Sequence, residues 1–233
     1  MKLLRGVKIG ECDMIDKLTN NNLFLIRHGQ SIYNLENRFT GWKDVELTNL
    51  GISQATEAGE ILSCISFDLC YTSNLKRAQN TLNLMLEKMN QNPKIIKDEA
   101  LNERDYGELI GQNKSEAAKK FGSEQVQIWR RSFDVPPPGG ESLKMTAERT
   151  LPYYNDVIKP QLTSGKNIII SAHGNSIRAI VMKIFNMTPE QILKTEIGWC
   201  EPWILSFSEQ GKLTNHQIIE RQSEPSKSLL FLD

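Results

Sequence analysis

The sequence of 233 residues has no net charge, because 28 lysine and arginine residues balance 28 aspartate and glutamate residues. Without a basic excess, the chain carries no field of the kind that captures nucleic acid or an anionic membrane. Its apolar runs are short, far below the roughly twenty residues that span a bilayer, and no signal-peptide h-region precedes them. We therefore expect no nucleic-acid partner, no membrane partner and a cytoplasmic location, and any anion site has to be local.

Cysteine and histidine are scarce, which argues against two further kinds of site. The four cysteines, Cys12, Cys64, Cys70 and Cys200, form neither a CxxC pair nor the dense framework of a small secreted domain. We expect reduced, mostly buried thiols. The three histidines show no HxxxH or HxH spacing and have no acidic cluster beside them, so they do not fill a typical metal site. The sequence therefore favours chemistry without a metal.

The order of predicted elements is that of an α/β protein. The apolar runs at 23–26 and 167–171 are typical of buried parallel strands, which are covered on both faces and need not alternate. We predict a three-layer α/β/α sandwich with a mostly parallel central sheet, in one domain at 23–233 that follows an N-terminal extension at 1–22. The other predicted strands are 69–71, 94–98, 203–207 and 217–220, and the predicted helices are 48–63, 75–89, 114–121, 124–132, 141–158, ending at Lys159-Pro160, 176–186 and one after Pro189.

Two of the histidines occur in nearly the same local sequence, at 27–32 (RHGQSI) and 172–177 (AHGNSI). Each follows a buried strand and opens a helix, and the carboxyl ends of parallel strands form the edge where α/β proteins place ligands. The glycine after each histidine lets the backbone approach a ligand, and the free N–H groups of a helix start favour an anion. A lone histidine is more often a core or surface residue, but two matched turns predict a shared phosphate site.

Arginines complete this predicted site. Arg27 offers a planar fork for a phosphate, and Arg77 lies in the first turn of the helix after another short strand. Nearby positive charge opposes protonation of His28, so its neutral imidazole could attack phosphorus, and a backbone carbonyl at the other ring nitrogen would fix its tautomer. Several carboxylates could move the proton, and the residues alone do not choose among Glu99, Glu103, Asp105 and Glu108.

The ordered set of motifs resembles the 2,3-bisphosphoglycerate-dependent phosphoglycerate mutases of the histidine phosphatase superfamily. An Arg-His-Gly triplet alone would be weak evidence, whereas the whole set, which extends over about residues 23–190, is specific. The matching segments are 23–31 (LFLIRHGQS), Asn34, 37–42 (NRFTGW), 101–107 (LNERDYG), 113–114 (NK), 129–131 (WRR) and 172–176 (AHGNS).

The resemblance implies a phosphoglycerate mutase-like catalytic domain, an isomerase of glycolysis and gluconeogenesis that interconverts 3-phosphoglycerate and 2-phosphoglycerate. It implies a phosphohistidine at His28, 2,3-bisphosphoglycerate as primer, no metal, and a homodimer or dimer of dimers. Glu103 would be the proton donor and acceptor, and His173, Arg27 and Arg77 would stabilise the transferring group. The implied substrate-binding residues are Ser31, Asn34, Thr40, Gly41, Arg104, Tyr106, Lys114, Arg130, Arg131, Gly174 and Asn175.

Alternatives remain at several of these positions. Ser31, Asn34, Thr40 and Gly41 are equally typical of helix caps or turns. Arg130 and Arg131 point about 100° apart on a helix, so one could be solvated and the other paired within the protein.

Two departures from the family pattern lie where the site could be covered. The connection from 133 to 141 is short, and the tail after 197–200 lacks the usual Gly-Val-Pro pattern. Exclusion of water from a phosphohistidine decides between a mutase and a phosphomonoesterase that uses the same pocket. The phosphomonoesterase is the alternative function.

A third hypothesis is a non-catalytic phosphate-binding or scaffold protein. The intact His28, Glu103 and His173 argue against it.

Overall fold

Two buried apolar strands form the centre of the sheet. The structure is a computed structural model and describes residues 21–232. β1 (Asn22–Arg27) and β4 (Ile168–Ala172) run parallel, and their apolar residues are continuous because helices cover both faces of the sheet. β1 begins at Asn22, the last residue of the predicted N-terminal extension. The rest of that extension, apart from Asn21, lies outside the described residues.

The register of β1 and β4 positions the two His-Gly turns. Arg27 lies opposite Ala172, and His28 donates its backbone N–H to the carbonyl of Ala172 over 3.0 Å. His28 and His173 are the next residues of their strands, so they lie side by side at one edge of the sheet.

Four further strands complete a six-stranded sheet in the order β3-β2-β4-β1-β5-β6. The strands β2 and β3 pair in parallel on one side of β4, whereas β5 and β6 pair antiparallel beyond β1. A mixed, mostly parallel sheet between helices confirms the predicted α/β/α sandwich. The bounds are β2 (Leu69–Thr72), β3 (Lys94–Lys97), β5 (Trp203–Phe207) and β6 (Leu213–Ile218).

The helices are distributed over the two faces of the sheet and one end of it. None of those within residues 21–232 is long and apolar enough to cross a membrane. In chain order they are α1 (Ile32–Leu35), α2 (Asn49–Ile61), α3 (Lys76–Lys88), α4 (Lys114–Phe121), α5 (Ser123–Arg131), α6 (Leu143–Tyr153), α7 (Lys159–Leu162), α8 (Gly174–Ile184) and α9 (Pro189–Lys194), with 3-10 turns at Glu99–Leu101 and Gly107–Leu109 and a π-helical segment at Tyr154–Ile158.

The side chains of β1 alternate between two hydrophobic cores. Phe24 and Ile26 pack in one core with residues of α2 and α3, while Leu23 and Leu25 pack in the other with residues of α6, α8 and α9. Strand alternation therefore divides the apolar run of β1 between the two faces. Burial on both faces fixes the strand, and with it the position of the turn that carries His28.

A separate small core supports the segment between β3 and α6. Phe39, Leu109, Ala117 and Val126 are buried together, with Tyr106 and Trp129 packed against them. This core holds α4 and α5 next to the sheet edge that carries the histidines. The two helix-like runs in the polar middle of the sequence are confirmed as α4 and α5.

The prediction that Lys159-Pro160 ends the helix at 141–158 is wrong. Helical structure continues from α6 through the π-helical segment into α7, which ends at Leu162. Pro160 lies in the first turn of α7, directly after the π-helical segment.

The predicted last strand, at 217–220, lies too far along the chain. β6 spans Leu213–Ile218 rather than 217–220, and it pairs with β5 after a turn that contains Gly211 at φ +75°. Thr214 and Asn215 are exposed on this edge strand. Strand pairing rather than apolar content defines β6, so the sequence pattern did not reveal it.

The expectation of reduced thiols holds at two cysteines and is wrong at a third. Cys70 and Cys200 are buried free thiols, and burial raises the pKa of each to about 12. Cys64 is disulfide-bonded, and Cys12 lies outside the described residues.

Candidate active site

His28 is buried directly after β1, and its two ring nitrogens have different partners. Nδ1 lies 2.7 Å from the carbonyl oxygen of Gly29, and Nε2 lies 3.3 Å from Nε of Arg77. A carbonyl can only accept and a guanidinium can only donate. The neutral ring therefore carries its proton on Nδ1 and presents a lone pair at Nε2, which is the form that a nucleophile requires.

The surroundings of His28 keep this ring neutral. Burial is the largest influence, and together with the charges of Arg77 and Arg27 it lowers the pKa of His28 well below its usual range. The hydrogen bond to Gly29 acts in the opposite direction and is outweighed. The imidazole is therefore unprotonated at pH 7 and ready to attack.

Arg77 is fully buried and is held by backbone carbonyls. Nη2 donates to Gly41 over 2.8 Å and Nη1 donates to Lys43 over 3.0 Å. Gly41 adopts φ +52°, in the left-handed region that glycine enters without strain. Burial lowers the pKa of Arg77 to about 10, so the side chain remains positive at neutral pH.

Arg27 lies at the end of β1 and is supported from the C-terminal part of the chain. Nη1 donates to the carbonyl of Ile197 over 2.9 Å, and the guanidinium lies 5.4 Å from the ring centre of Trp199. Nε is buried and has no hydrogen-bond partner among residues 21–232. The arginine therefore has a fixed position and an unused donor.

His173 is completely buried beside His28, with 5.0 Å between the two ring centres. Its Nε2 lies 2.7 Å from Oγ of Ser73, while Nδ1 has no hydrogen-bond partner within the described part of the chain. Burial is the main cause that lowers the pKa of His173 well below its usual range, and the charge of Arg77 adds to it. The two imidazoles therefore lie next to each other at the edge of the sheet.

Glu103 is the predicted carboxylate that reaches this region. Oε1 accepts hydrogen bonds from the backbone N–H of Arg104 and from Nδ2 of Asn175, each over 2.8 Å. Burial raises the pKa of Glu103, but these hydrogen bonds and the charges of Arg77 and Arg27 outweigh burial, so the net pKa is lowered. Glu103 is therefore ionised and can accept a proton.

The other three candidate carboxylates do not enter the site. Glu99 and Glu108 are exposed, and Asp105 accepts the backbone N–H of Gly107. The structure thus separates Glu103 from its neighbours, which the sequence pattern alone did not.

The side chains surround a polar cavity of about 230 Å³ at the edge of the sheet. Most of the residues proposed from the sequence line it: Arg27, His28, Asn34, Thr40, Gly41, Arg77, Glu103, Tyr106, Lys114, Arg130, Arg131, Gly174 and Asn175. Both consecutive arginines line the cavity, and one of them, Arg131, is paired within the protein to Glu196.

Three proposed residues lie around the cavity rather than in its lining. His173 is buried beside His28, and Ser31 caps α1, where its hydroxyl accepts the backbone N–H of Asn34. Arg104 donates to the hydroxyl of Tyr106 over 3.0 Å and lines a smaller adjoining cavity. Ser31 therefore follows the helix-cap alternative.

Sequence reasoning missed four lining residues: Arg38, Phe39, Arg178 and Glu196. Glu196 accepts from Arg131 and from Arg178, each over 2.7 Å, and so bridges α5 to α8. Arg178 lies four residues after Gly174 on one face of α8, a spacing that could have indicated it. No sequence pattern pointed to Glu196.

Comparison with known proteins agrees with this geometry. The family model of the histidine phosphatase superfamily (branch 1) matches residues 23–218, and the chain belongs to this superfamily. The structure resembles that of a putative alpha-ribazole-5'-P phosphatase from Escherichia coli with a TM-score of 0.75 at 23% identity, over 86% of this chain and 96% of that one. This likeness shows the shared fold.

Curated relatives narrow the family. The chain is 52% identical to 2,3-bisphosphoglycerate-dependent phosphoglycerate mutase 2 of Gloeobacter violaceus, over 84% of this chain and 90% of that protein. It is 55% identical to the 2,3-bisphosphoglycerate-dependent phosphoglycerate mutase of Nitrobacter hamburgensis, over 78% of this chain and 89% of that protein. Within the superfamily, the chain belongs to the family of 2,3-bisphosphoglycerate-dependent phosphoglycerate mutases.

Proposed function

We propose that the protein interconverts 3-phosphoglycerate and 2-phosphoglycerate in glycolysis and gluconeogenesis through a phosphohistidine at His28. One observation carries the proposal: the buried Nε2 lone pair of His28 faces a cavity lined by arginines and by the ionised Glu103. Phosphoryl transfer needs an in-line nucleophile, proton handling and positive charge around the equatorial oxygens. The relatives at about half identity carry the name of this activity.

The primer, 2,3-bisphosphoglycerate, loads the nucleophile. Nε2 of His28 attacks a phosphorus of the bisphosphate, the P–N bond forms and the P–O bond breaks. The charge of the bound primer raises the pKa of Glu103, so that the carboxylate takes up a proton from solvent and gives it to the released hydroxyl oxygen. A monophosphoglycerate and phospho-His28 result.

The return transfer completes the isomerisation. A hydroxyl of bound 3-phosphoglycerate attacks the phosphorus of phospho-His28, the P–N bond breaks, and Glu103 takes the hydroxyl proton. The resulting bisphosphate then gives its other phosphoryl group to His28, which leaves 2-phosphoglycerate. Glu103 alternates between base and acid, and the negative charge of a phosphorylated substrate raises its pKa toward working pH.

Two groups of cations divide the binding between them. Arg27, Arg77 and the imidazole of His173 surround the transferring group, where charge develops in the transition state. Lys114, Arg130 and Arg131 hold the second anionic group, because the intermediate carries two phosphates and a carboxylate. Burial lowers the pKa of Lys114 and nearby cations contribute, which is consistent with a site arranged for anions.

We further propose that no metal takes part, since these side chains supply the positive charge that the transferring group needs. The cytoplasm is the proposed compartment, because the substrates are glycolytic acids. The homodimer or dimer of dimers implied by the resemblance stays a prediction.

A coupled assay on 3-phosphoglycerate with EDTA present, with and without 2,3-bisphosphoglycerate, tests the function. We expect primer-dependent turnover in the native protein and its loss in His28→Ala. His216→Ala is the matched control, since His216 lies on β6 and packs against Phe185 outside the cavity. Release of free phosphate without primer and without formation of 2-phosphoglycerate would establish the phosphomonoesterase instead. If neither 2-phosphoglycerate nor free phosphate is formed, the hypothesis of a non-catalytic phosphate-binding protein would remain.

A further inference from the structure

The hydroxyl of Ser73 is a buried group for which the proposed mechanism has no use. Ser73 follows β2, is completely buried, and places its Oγ 2.7 Å from Nε2 of His173. The same Oγ lies 3.2 Å from the backbone nitrogen of Leu75. These two contacts determine where the hydroxyl proton points.

The backbone N–H of Leu75 can only donate, so it occupies one acceptor lone pair of the Ser73 oxygen. A buried hydroxyl proton is costly unless an acceptor receives it. Among residues 21–232, the acceptor within hydrogen-bond distance of Ser73 Oγ is Nε2 of His173. The hydroxyl therefore donates to Nε2, and the single proton of the neutral imidazole is on Nδ1.

This puts an N–H donor on the imidazole ring next to the nucleophile. Nδ1 of His173 is buried and unpartnered within the described residues, and its ring centre lies 5.0 Å from that of His28. His28 has the opposite arrangement, with its proton directed to Gly29 and a lone pair at Nε2. One histidine of the matched pair thus presents a lone pair, and the other presents an N–H group.

We propose that Ser73 is a positioning residue that fixes His173 as the Nδ1–H tautomer, so that this N–H donates to the phosphoryl group in transfer. The inference rests on the proposed transfer through His28. Without the serine hydroxyl, nothing in the described chain holds the proton off Nε2. His173 would then turn a lone pair toward the phosphoryl oxygens, which repels them.

The test is ¹⁵N NMR of histidine-labelled protein at neutral pH, with and without inorganic phosphate. We expect His173 as the Nδ1–H tautomer in the native protein, and the Nε2–H tautomer in Ser73→Ala. Ser171→Ala is the matched control, because Ser171 is also buried, donates to the carbonyl of Ala78 and does not contact His173. A native His173 in the Nε2–H form would overturn the proposal.

Steady-state kinetics gives the second readout. Loss of one donor to a developing charge lowers kcat about 100-fold, and an interaction made mainly in the transition state leaves KM nearly unchanged. We expect this pattern in Ser73→Ala, partial rescue in Ser73→Thr, which keeps the hydroxyl, and native kinetics in Ser171→Ala. Native kcat in Ser73→Ala would contradict the proposal. The NMR measurement of the tautomer does not depend on catalytic activity. A protein without mutase activity would therefore refute the proposed function, while the NMR spectra would still decide whether Ser73 sets the tautomer of His173.

Discussion

At the scale of residues, the chemistry depends on a buried histidine and a buried glutamate, whose pKa values burial shifts in opposite directions. Burial lowers the pKa of the base His28 and raises that of the acid Glu103, and in Glu103 hydrogen bonds and arginines reverse the effect. The nucleophile is therefore neutral while the proton acceptor is ionised. The neutral His28 is the form that attacks the primer, and the ionised Glu103 is the form that accepts the proton of a substrate hydroxyl in the return transfer.

The role of Glu103 is tested by Glu103→Gln, which keeps the shape of the side chain and removes the proton acceptor. We expect kcat for 3-phosphoglycerate to fall by about 10²–10⁴-fold, the usual contribution of general acid–base catalysis. Glu108→Gln serves as the control, because Glu108 is exposed and lies outside the cavity lining. Comparable activity in the two variants would exclude Glu103 as the proton carrier.

At the scale of elements, the turn between β1 and α1 is packed against the start of α2. A Cβ on Gly29 would overlap the carbonyl oxygen of Gly51, and backbone cannot move aside as a flexible side chain can. The glycine next to the nucleophile is therefore required by the contact between two backbones, in addition to any approach of a ligand.

We expect Gly29→Ala to lower the free energy of unfolding by about 1–3 kcal/mol, as overpacking does, and to lower kcat because His28 shifts with the turn. Gly165→Ala is the control: Gly165 has φ +92° and open space around a Cβ, so alanine there adds backbone strain alone. Urea unfolding and the coupled assay measure both effects. A Gly29→Ala variant with native kcat would show that the turn tolerates displacement.

Strands with a continuous apolar run could be predicted from the sequence, whereas elements defined by strand pairing or by a local change of helix type could not. β1 and β4 followed from continuous apolar runs because a sheet covered on both faces imposes that pattern. β6 has a polar exposed side and is defined by its pairing with β5, so its position was wrong by several residues. The continuation through Pro160 depends on a π-helical segment, which no simple periodicity reveals.

At the scale of the whole molecule, the site joins segments that are far apart in sequence. The paired turns were predictable because both belong to adjacent parallel strands, whereas Glu103 was chosen only through resemblance to a family. Glu196 could not be chosen at all, since its importance comes from contacts with Arg131 and Arg178 on separate helices. Such bridges are visible only after the chain has folded.

Two buried neutral histidines also affect the stability of the whole chain. His28 and His173 have pKa values well below 6.5 in the folded protein, whereas in the unfolded chain they titrate near 6.5. Below pH 6.5 the unfolded state therefore binds more protons, so stability falls as pH falls. Each histidine contributes a slope of up to about 1.4 kcal/mol per pH unit.

Urea unfolding at pH 7, 6 and 5 measures this slope. We expect the free energy of unfolding to decrease between pH 6.5 and 5 in the native protein, and to decrease less in the double variant His28→Gln/His173→Gln. Equal slopes in the two proteins would show that the histidines are not buried in neutral form.

The position of the phosphoryl group on the enzyme tests the central claim most directly. Native protein incubated with 2,3-bisphosphoglycerate would be digested under alkaline conditions, and the phosphohistidine would be located by mass spectrometry and assigned to one ring nitrogen by NMR. Because Nδ1 of His28 donates to Gly29, we predict phosphate on Nε2 of His28. Phosphate on Nδ1, on His173, or on no histidine would contradict the account.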